Sequence, residues 1–324
     1  MNIIKVKARG LYERTIVNPI VVAFMVFIIA LCVVGTLSLN FYDISFGRDI
    51  LVEAHGMLSD ILVIGVLIYW LQERGRKILE TQRYKDDIDD FRGWESDEAA
   101  HRIRGSIIRL SRHKITQLNL RKCCLNSIDL SSLNLSKSNF MVSHLVGTRL
   151  IDSKLEEANF SWARLEEADF RWAKLRRANF NRAHLERAIF EYADLEEATF
   201  YRAHLNRSNL REASLRKAKF KKAIFTEADL KGVCLRNANL EGSDFTKANF
   251  TEADLKGAIF KDADLKDAIL YFADFTRCSL IGVKNLTVDQ LTKVKTLYCA
   301  LLGPELEEVI KKEHNYLLRR PEDD

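Results

Sequence analysis

A leucine or phenylalanine recurs at every fifth position from about residue 116 to 280 without one insertion, as in Leu155, Phe160, Leu165, Phe170, Leu175, Phe180, Leu185 and Phe190, and on to Phe275 and Leu280. Two positions earlier in each unit stands a small residue, alanine without a break from Ala158 to Ala203. The remaining positions are mostly charged or polar. A period of five fits neither a helix of 3.6 residues per turn nor a continuous strand of period two. It does fit an in-out-in-out-out pattern, a short extended piece with two inward side chains followed by a corner, wound into a coil. One such unit is too short to fold alone. Stacked coils bury the Leu/Phe column and bring backbones about 4.8 Å apart for hydrogen bonding, so stability accumulates along the axis. An interior filled by Leu, Phe and Ala leaves no cavity.

The units Ala168-Asp169-Phe170, Ala193-Asp194-Leu195, Ala228-Asp229-Leu230, Ala238-Asn239-Leu240 and Ala253-Asp254-Leu255 resemble the consensus A-(D/N)-L-x-x of the pentapeptide-repeat family. The resemblance covers about half the chain and implies a β fold, a right-handed quadrilateral β-helix with four pentapeptides per coil. The residues themselves are consistent with that coil length. At a lag of twenty, charges alternate in Glu156, Arg176, Glu196 and Arg216 and in Glu157, Arg177, Glu197 and Lys217, and Phe140, Phe160, Phe180, Phe200 and Phe220 fall in one column. Other lags also pair some charges, so the residues alone leave the number of sides open. About thirty-three units make roughly eight coils and a rod of roughly 40 Å. Before residue 155 the small position holds Leu118, Cys123, Ile128, Leu133, Ser138, Ser143 and Thr148, which predicts wider or irregular first coils.

Open ends of such a rod expose core and unpaired strand edges, so caps are expected. Ser96 is a good N-cap, followed by Asp97 and Glu98 at the positive end of a helix, and Ala100, Ile103, Ile107 and Leu110 form one apolar stripe. This helix is the expected N-terminal cap. Thr287-Val288-Asp289-Gln290 reads as a capping box opening a helix with Leu291, Val294 and Leu297 on one side. Gly303-Pro304 then starts a last helix through Leu306, Val309 and Ile310. The resemblance also points to a homodimer through this C-terminal end.

Before the repeat lies a different kind of sequence. Ile20 to Leu39 carries no charge over about twenty residues, roughly 30 Å of helix, which matches a hydrocarbon core. Leu51 to Leu71 is a second apolar segment with Glu53, His55 and Asp60 in its first half and Tyr69 and Trp70 where an interfacial aromatic belt belongs. Glu53 and His55 fall at headgroup level, whereas Asp60 lies deeper and is costly to face lipid. It suits hydrogen bonding between helices, with an ion or proton site as the alternative. Lys5, Lys7, Arg9 and Arg14 precede the first segment and Arg74, Arg76, Lys77 and Arg83 follow the second, against Arg48 alone between them. The positive-inside rule then puts both ends of an α-helical transmembrane hairpin in the cytoplasm of a multi-pass inner-membrane protein. From Gln72 to Phe91 helix formers continue as a stalk until Arg92-Gly93 breaks it. The expected organisation is a hairpin over 1–71, a helical stalk and cap over 72–112, the β-helix over 113–285 and a helical cap over 286–324.

Little in the remaining sequence points to chemistry. Six cysteines without CxxC spacing read as reduced thiols, with neither a disulfide scaffold nor a zinc site. His144, His184 and His204 occupy outward positions and read as surface residues. No phosphate loop or nucleophile-base-acid set occurs, so neither an enzyme, a cofactor nor a metal is expected. The repeat Asp and Asn residues are explained by corner hydrogen bonds to nearby backbone. If the coil is twenty residues long, Arg182, Tyr201, Arg202, Lys219, Lys221 and Lys222 share a face, a basic patch suited to an acidic protein or an anionic surface. Trp162 and Trp172, two units apart, fall on opposite sides and form no common platform. A net charge of +5 from 50 basic and 45 acidic residues names no partner and argues against a dedicated nucleic-acid binder. The expected function is a membrane-tethered cytosolic binding scaffold. Its rivals are a DNA-mimicking topoisomerase binder, implied by the resemblance but at odds with a slight basic excess in the repeat, and a small channel or transport regulator using Glu53 and Asp60.

Overall fold

The computed structural model describes residues 27–30, 32, 33, 35, 36 and 45–320. The chain divides into two compact units, Met1–Gln82 and Arg83–Asp324. Most of the expected first span, 20–39, lies outside the described residues, although 27–30, 32, 33, 35 and 36 are helical. Helix α1, Ser45–Asp90, is longer than the segment read from hydropathy. Within it Gly56–Asp90 contains an 18-residue window of mean hydropathy 1.4, none of it buried, long and apolar enough to cross a membrane. Among the described residues this is the one such helix, and it covers the second of the two expected spans.

From residue 119 the chain winds into coils of twenty residues. Parallel bridges join Asn119 to Asn139, Asn139 to Asn159, Asn159 to Asn179 and Asn179 to Thr199, and the same spacing runs through every side up to Asp264 and Lys284. With five residues per side, this is a four-sided coil. The bridges also answer the question left open by charge pairing, because lags other than twenty are absent until the two-residue slip at Asp274 to Thr296 and Ser279 to Leu301.

Nearly every backbone N–H in a unit has an assigned partner, as a buried chain requires. In one representative unit, Asn179 N–H donates to Ala158 O at 2.9 Å in the preceding coil, and Phe180 and Arg182 N–H donate to Thr199 O and Tyr201 O of the next at 2.7 and 2.8 Å. Ala183 N–H closes the turn on Phe180 O at 3.0 Å. The fifth donor, Asn181 N–H, is taken by the side chain of Asn179, Oδ1 at 3.0 Å. Asp169 does the same for Arg171, Asn159 for Ser161 and Asp229 for Lys231. The Asp/Asn preference therefore comes from the one amide that the turn leaves without a backbone carbonyl.

The second corner residue has positive φ throughout, from Lys122 at 58° through Trp162 at 60° and Arg182 at 58° to Gly282 at 73°. Only a few of these residues are glycine. The turn type demands positive φ at this position, and the cross-coil hydrogen bond from the same residue's N–H holds bulky residues there.

Inside, the Leu/Phe and small-residue columns are almost completely buried. Phe140, Phe160, Phe180, Phe200 and Phe220 stack face to face, with centroids 4.6, 5.0, 4.9 and 4.8 Å apart. Phe170 and Phe190 form a second stack at 4.8 Å and meet the first edge-on, as aromatic quadrupoles favour. Outside, Arg176 pairs with Glu196 at 2.6 Å and Arg177 with Glu197 at 2.8 Å, so the alternating charges make cross-coil pairs. Solvent screens each exposed pair, so singly they contribute little to stability.

The first coils keep the twenty-residue register, contrary to the expected irregularity. Their hydroxyl residues fit because each bonds backbone: Ser138 donates to Thr116 O at 2.7 Å, Thr148 to Leu125 O at 2.6 Å and Ser153 to Leu150 O at 2.6 Å. The larger Leu118, Cys123 and Ile128 belong to the same apolar cluster as the cap helix α2, Asp97–Arg112. Ser96 accepts from Ala99 N–H at its start, and Ile103, Ile107 and Leu110 are fully buried. Arg92 donates to Asn119 O at 3.0 Å and to Arg121 O, and Arg104 to Asp129 O at 2.8 Å. These carbonyls belong to the first coil, which has no preceding coil to donate to them.

At the far end Thr287 and Gln290 form the expected capping box, but helix α3 is only Val288–Leu291. Val294 and Leu297 are not on that helix. They lie in a further partial coil in which Thr296 and Leu301 bridge to Asp274 and Ser279. Gln290 Nε2 reaches back to Leu265 O and Ala268 O, both at 2.9 Å, which ties the short helix to the last complete coil. Helix α4, Pro304–Glu313, starts at Gly303-Pro304 as read, with Ile310 buried, and the 3-10 turn Asn315–Leu318 follows. Leu317 O then accepts Leu297 N–H at 2.8 Å.

Candidate functional site

The twenty-residue coil puts Arg182, Tyr201, Arg202, Lys221 and Lys222 on a single corner, in three successive layers. Lys219 lies on the flat side that leads into it, bridged to Thr199 and Asn239. Trp162 sits on the same corner one coil earlier and is half exposed. The Arg182 guanidinium lies 4.5 Å from the centroid of the Trp162 ring and 6.0 Å from that of Tyr201. Arg202 is 5.3 Å from the Tyr201 ring. Tyr201 is fixed from below, its N–H donating to Asn181 Oδ1 at 2.7 Å. The result is an alternating ladder of rings and guanidinium groups that ends on two lysines. Sequence reading missed Trp162 because it was compared with Trp172. The signal was its lag of twenty from Arg182.

Several basic residues on this β-helix face a carboxylate one coil away, as Arg177 does Glu197 and Arg207 does Glu227, both at 2.8 Å. On this corner only Lys221 does, with Glu241 at 3.1 Å. Among the described residues Arg182, Arg202, Lys219 and Lys222 have no ion-pair partner. The corner therefore presents uncompensated positive charge over aromatic surface, with each guanidinium-ring contact worth roughly 0.5–1 kcal/mol at an exposed site. Guanidinium groups held against rings keep their outer N–H donors for a carboxylate or phosphate at reduced entropic cost. Trp172 lies on another corner and stacks on Tyr192 at 5.8 Å, so the two tryptophans are separate as read.

Of the polar positions on α1, Glu53 and Asp60 are exposed, seven residues apart and so near one face of the helix. The side chain of His55 lies outside the described residues. Met57, Ile61, Ile64, Leu67 and Leu71 are also exposed. The Arg74 guanidinium lies 5.1 Å from the Trp70 ring at the basic end.

Among the described residues two groups contain donor atoms that could hold a metal. Glu95, Cys124 and His144 meet near the first coil, with His144 Nδ1 3.6 Å from Glu95 and 3.9 Å from Cys124 Sγ. His184, Glu186 and His204 meet in mid-rod, and sequence reading had overlooked Glu186 because it belongs to the corner, not to the histidine column. Burial, followed by the nearby Glu95 carboxylate, pushes the Cys124 thiol above its ordinary range. Burial is also the main reason Cys123 is pushed up to about 12, even with Arg92 acting the other way.

A family model for pentapeptide repeats matches the chain in eight copies, in overlapping stretches that run from residue 123 to 282. Similar solved structures include a trypsin-treated form of QnrB1, a plasmid-mediated fluoroquinolone resistance protein. It is 21% identical over 59% of this chain and 97% of that one, with a TM-score of 0.29. HetL, a pentapeptide-repeat protein involved in heterocyst differentiation regulation from the cyanobacterium Nostoc, is 26% identical over 62% of this chain and 97% of that one, with a TM-score of 0.25. Rfr23 from the cyanobacterium Cyanothece is 19% identical over 49% of this chain and 91% of that one, also with a TM-score of 0.25. No curated protein matches.

Proposed function

The chain belongs to the pentapeptide-repeat family, and on that premise we propose that it is a membrane-tethered scaffold whose β-helix binds an acidic partner protein through the Trp162–Lys222 corner. The observation that carries the reading is the gathering of four cations without an ion-pair partner among the described residues, Arg182, Arg202, Lys219 and Lys222, around the rings of Trp162 and Tyr201 on successive coils. Positive charge gathered over aromatic rings favours a complementary acidic face and speeds encounter with it. In this reading the protein performs no catalysis and takes no nucleic acid.

The tether is the hairpin of residues 20–39 and 51–71, with the termini and the β-helix on the cytoplasmic side. Its support is the apolar, exposed α1 and the asymmetry of flanking basic residues. A homodimer through the C-terminal cap belongs to the same proposal. Likeness to QnrB1 concerns the fold, and a fold does not carry an activity with it. A DNA mimic needs a continuous acidic surface, which this corner opposes.

Charge reversal at Lys219, Lys221 and Lys222 tests the binding face. Crosslinking in intact cells, followed by a pull-down, should lose the captured partner in the reversed protein and regain it on reversion. Equal capture by both proteins ends the reading. Recovery of the full-length chain in the soluble fraction without detergent ends the tether. Ion flux in reconstituted vesicles that disappears with Asp60→Asn would replace the scaffold by a channel.

A further inference from the structure

We infer that His184, Glu186 and His204 form a binding site for a late first-row divalent cation of the Zn²⁺ type. The two histidines are bridged neighbours on successive coils, so the backbone spacing fixes their separation, with ring centroids 4.9 Å apart. Glu186 Oε1 lies between them, 3.5 Å from His184 Nδ1 and 3.5 Å from His204 Nδ1. That distance is long for a hydrogen bond. It is close to the edge of a tetrahedron with arms of 2.0–2.1 Å, about 3.3–3.4 Å, the geometry in which Zn²⁺ binds imidazole and carboxylate. All three ligand atoms lie within 4.8 Å of one another. Two imidazoles and one carboxylate leave a fourth position for water.

An independent observation points the same way. Glu186 Oε2 is buried without a hydrogen-bond partner, as are Glu166 Oε2 and Asn206 Oδ1 on the same corner one coil to either side. A buried oxygen left unpaired gives up its hydration with nothing in return. Three such acceptors in register mark a place that calls for a cation or a donor. The arginines nearby do not satisfy these atoms: Arg164 reaches only the other oxygen of Glu166, Oε1, at 3.1 Å, while Arg187 pairs with Glu167 at 3.1 Å and Arg207 with Glu227 at 2.8 Å. Among the described residues the Glu186 carboxylate pairs with the two histidines alone. A cleft of about 400 Å³ lined by Glu186, Asn206 and their neighbours opens the corner to solvent. Imidazole with carboxylate selects Zn²⁺, Cu²⁺, Ni²⁺ or Co²⁺ over Mg²⁺ and Ca²⁺. The bound ion would pin two adjacent coils together.

The test is Co²⁺ and Zn²⁺ titration of the detergent-solubilised full chain, purified without a polyhistidine tag. Co²⁺ should give the visible absorption of a low-coordinate N/O site, bleached by Zn²⁺. At a metal concentration one hundred times Kd, the folded-to-unfolded ratio should rise about 100-fold. His204→Asn and Glu186→Gln, both half-buried on the outer side of the coil and near in size to the residues they replace, should each lower affinity at least tenfold while leaving the circular dichroism unchanged. Cys124→Ser should leave this site's absorption intact. Unaltered binding in His204→Asn, or loss of all binding in Cys124→Ser, overturns the assignment, and so does absence of binding in the unsubstituted chain.

Discussion

Replacing Phe180 by alanine tests the idea that the rod is held by one continuous aromatic column whose energetics are local. Phe180 is completely buried and touches four rings: Phe160 and Phe200 stacked at 5.0 and 4.9 Å, and Phe170 and Phe190 edge-on at 5.8 and 5.7 Å. A buried Phe→Ala change costs about 3–5 kcal/mol, the sum of lost transfer energy and a cavity that the surroundings only partly fill. Here the cavity walls are tied by backbone bonds every few residues, so collapse is small. Ring pairs add about 0.5–1.5 kcal/mol each, which places the expected loss at the upper end, roughly 4–5 kcal/mol. Phe180→Leu keeps much of the volume and should cost less than about half of that. Each coil contacts only its neighbours, so the damage should stay in the layers from Phe160 to Phe200. Hydrogen exchange followed by mass spectrometry reads this directly. Protection should fall at amides such as Phe160 and Phe180, and persist at Phe250, whose N–H bonds Ile269 O at 2.7 Å three coils further on. A uniform loss along the rod, or a loss for Phe180→Ala no larger than for Phe180→Leu, refutes the reasoning.

Other perturbations probe corners, charge and cysteines. Lys247 has φ of 58°, and Lys247→Gly should raise stability by about 0.5–1 kcal/mol in urea melts, since glycine accepts positive φ without strain. For Asp274, burial acts to raise the carboxyl pKa, but hydrogen bonds from Thr276 and the Lys256 ammonium at 3.2 Å outweigh it and hold it below the usual range. Its stabilisation is complete above the unfolded carboxylate value of about 3.9 and is lost as pH falls through the lower folded value. Asp274→Asn should therefore flatten the acid limb of the stability curve, and an unchanged slope in acid titration would count against the pairing. Among the cysteines, exposed Cys299 should react with a thiol reagent in the folded protein. Cys278 should wait for unfolding, because burial pushes its thiol far up and it donates to Leu255 O at 2.8 Å.

Much of this architecture is written locally. The Leu/Phe column, the small residues beside it, the Asx residues and both cap positions act within a few residues of themselves, and each is found where its type predicts. Less legible were features made by residues far apart in sequence. Arg92 and Arg104 carry no pattern, yet they satisfy the carbonyls of the first coil. Glu186 looked like an ordinary corner residue until the coil placed it between two histidines. Helix α3 stops at Leu291 because the following residues find bridge partners in the coil beneath, which outweighs helical spacing at Val294 and Leu297.

The amino-acid order alone determined the five-residue unit, what it buries and where it turns, because inward apolar groups, corner amides and caps are short-range demands. Only the tertiary structure decided that four units close a coil, since that depends on the angle summed over successive corners and on which layers then meet. That closure sets which residues stand twenty apart in register. It thereby created the unpaired basic corner and the histidine-glutamate cluster, neither of which exists in any single unit.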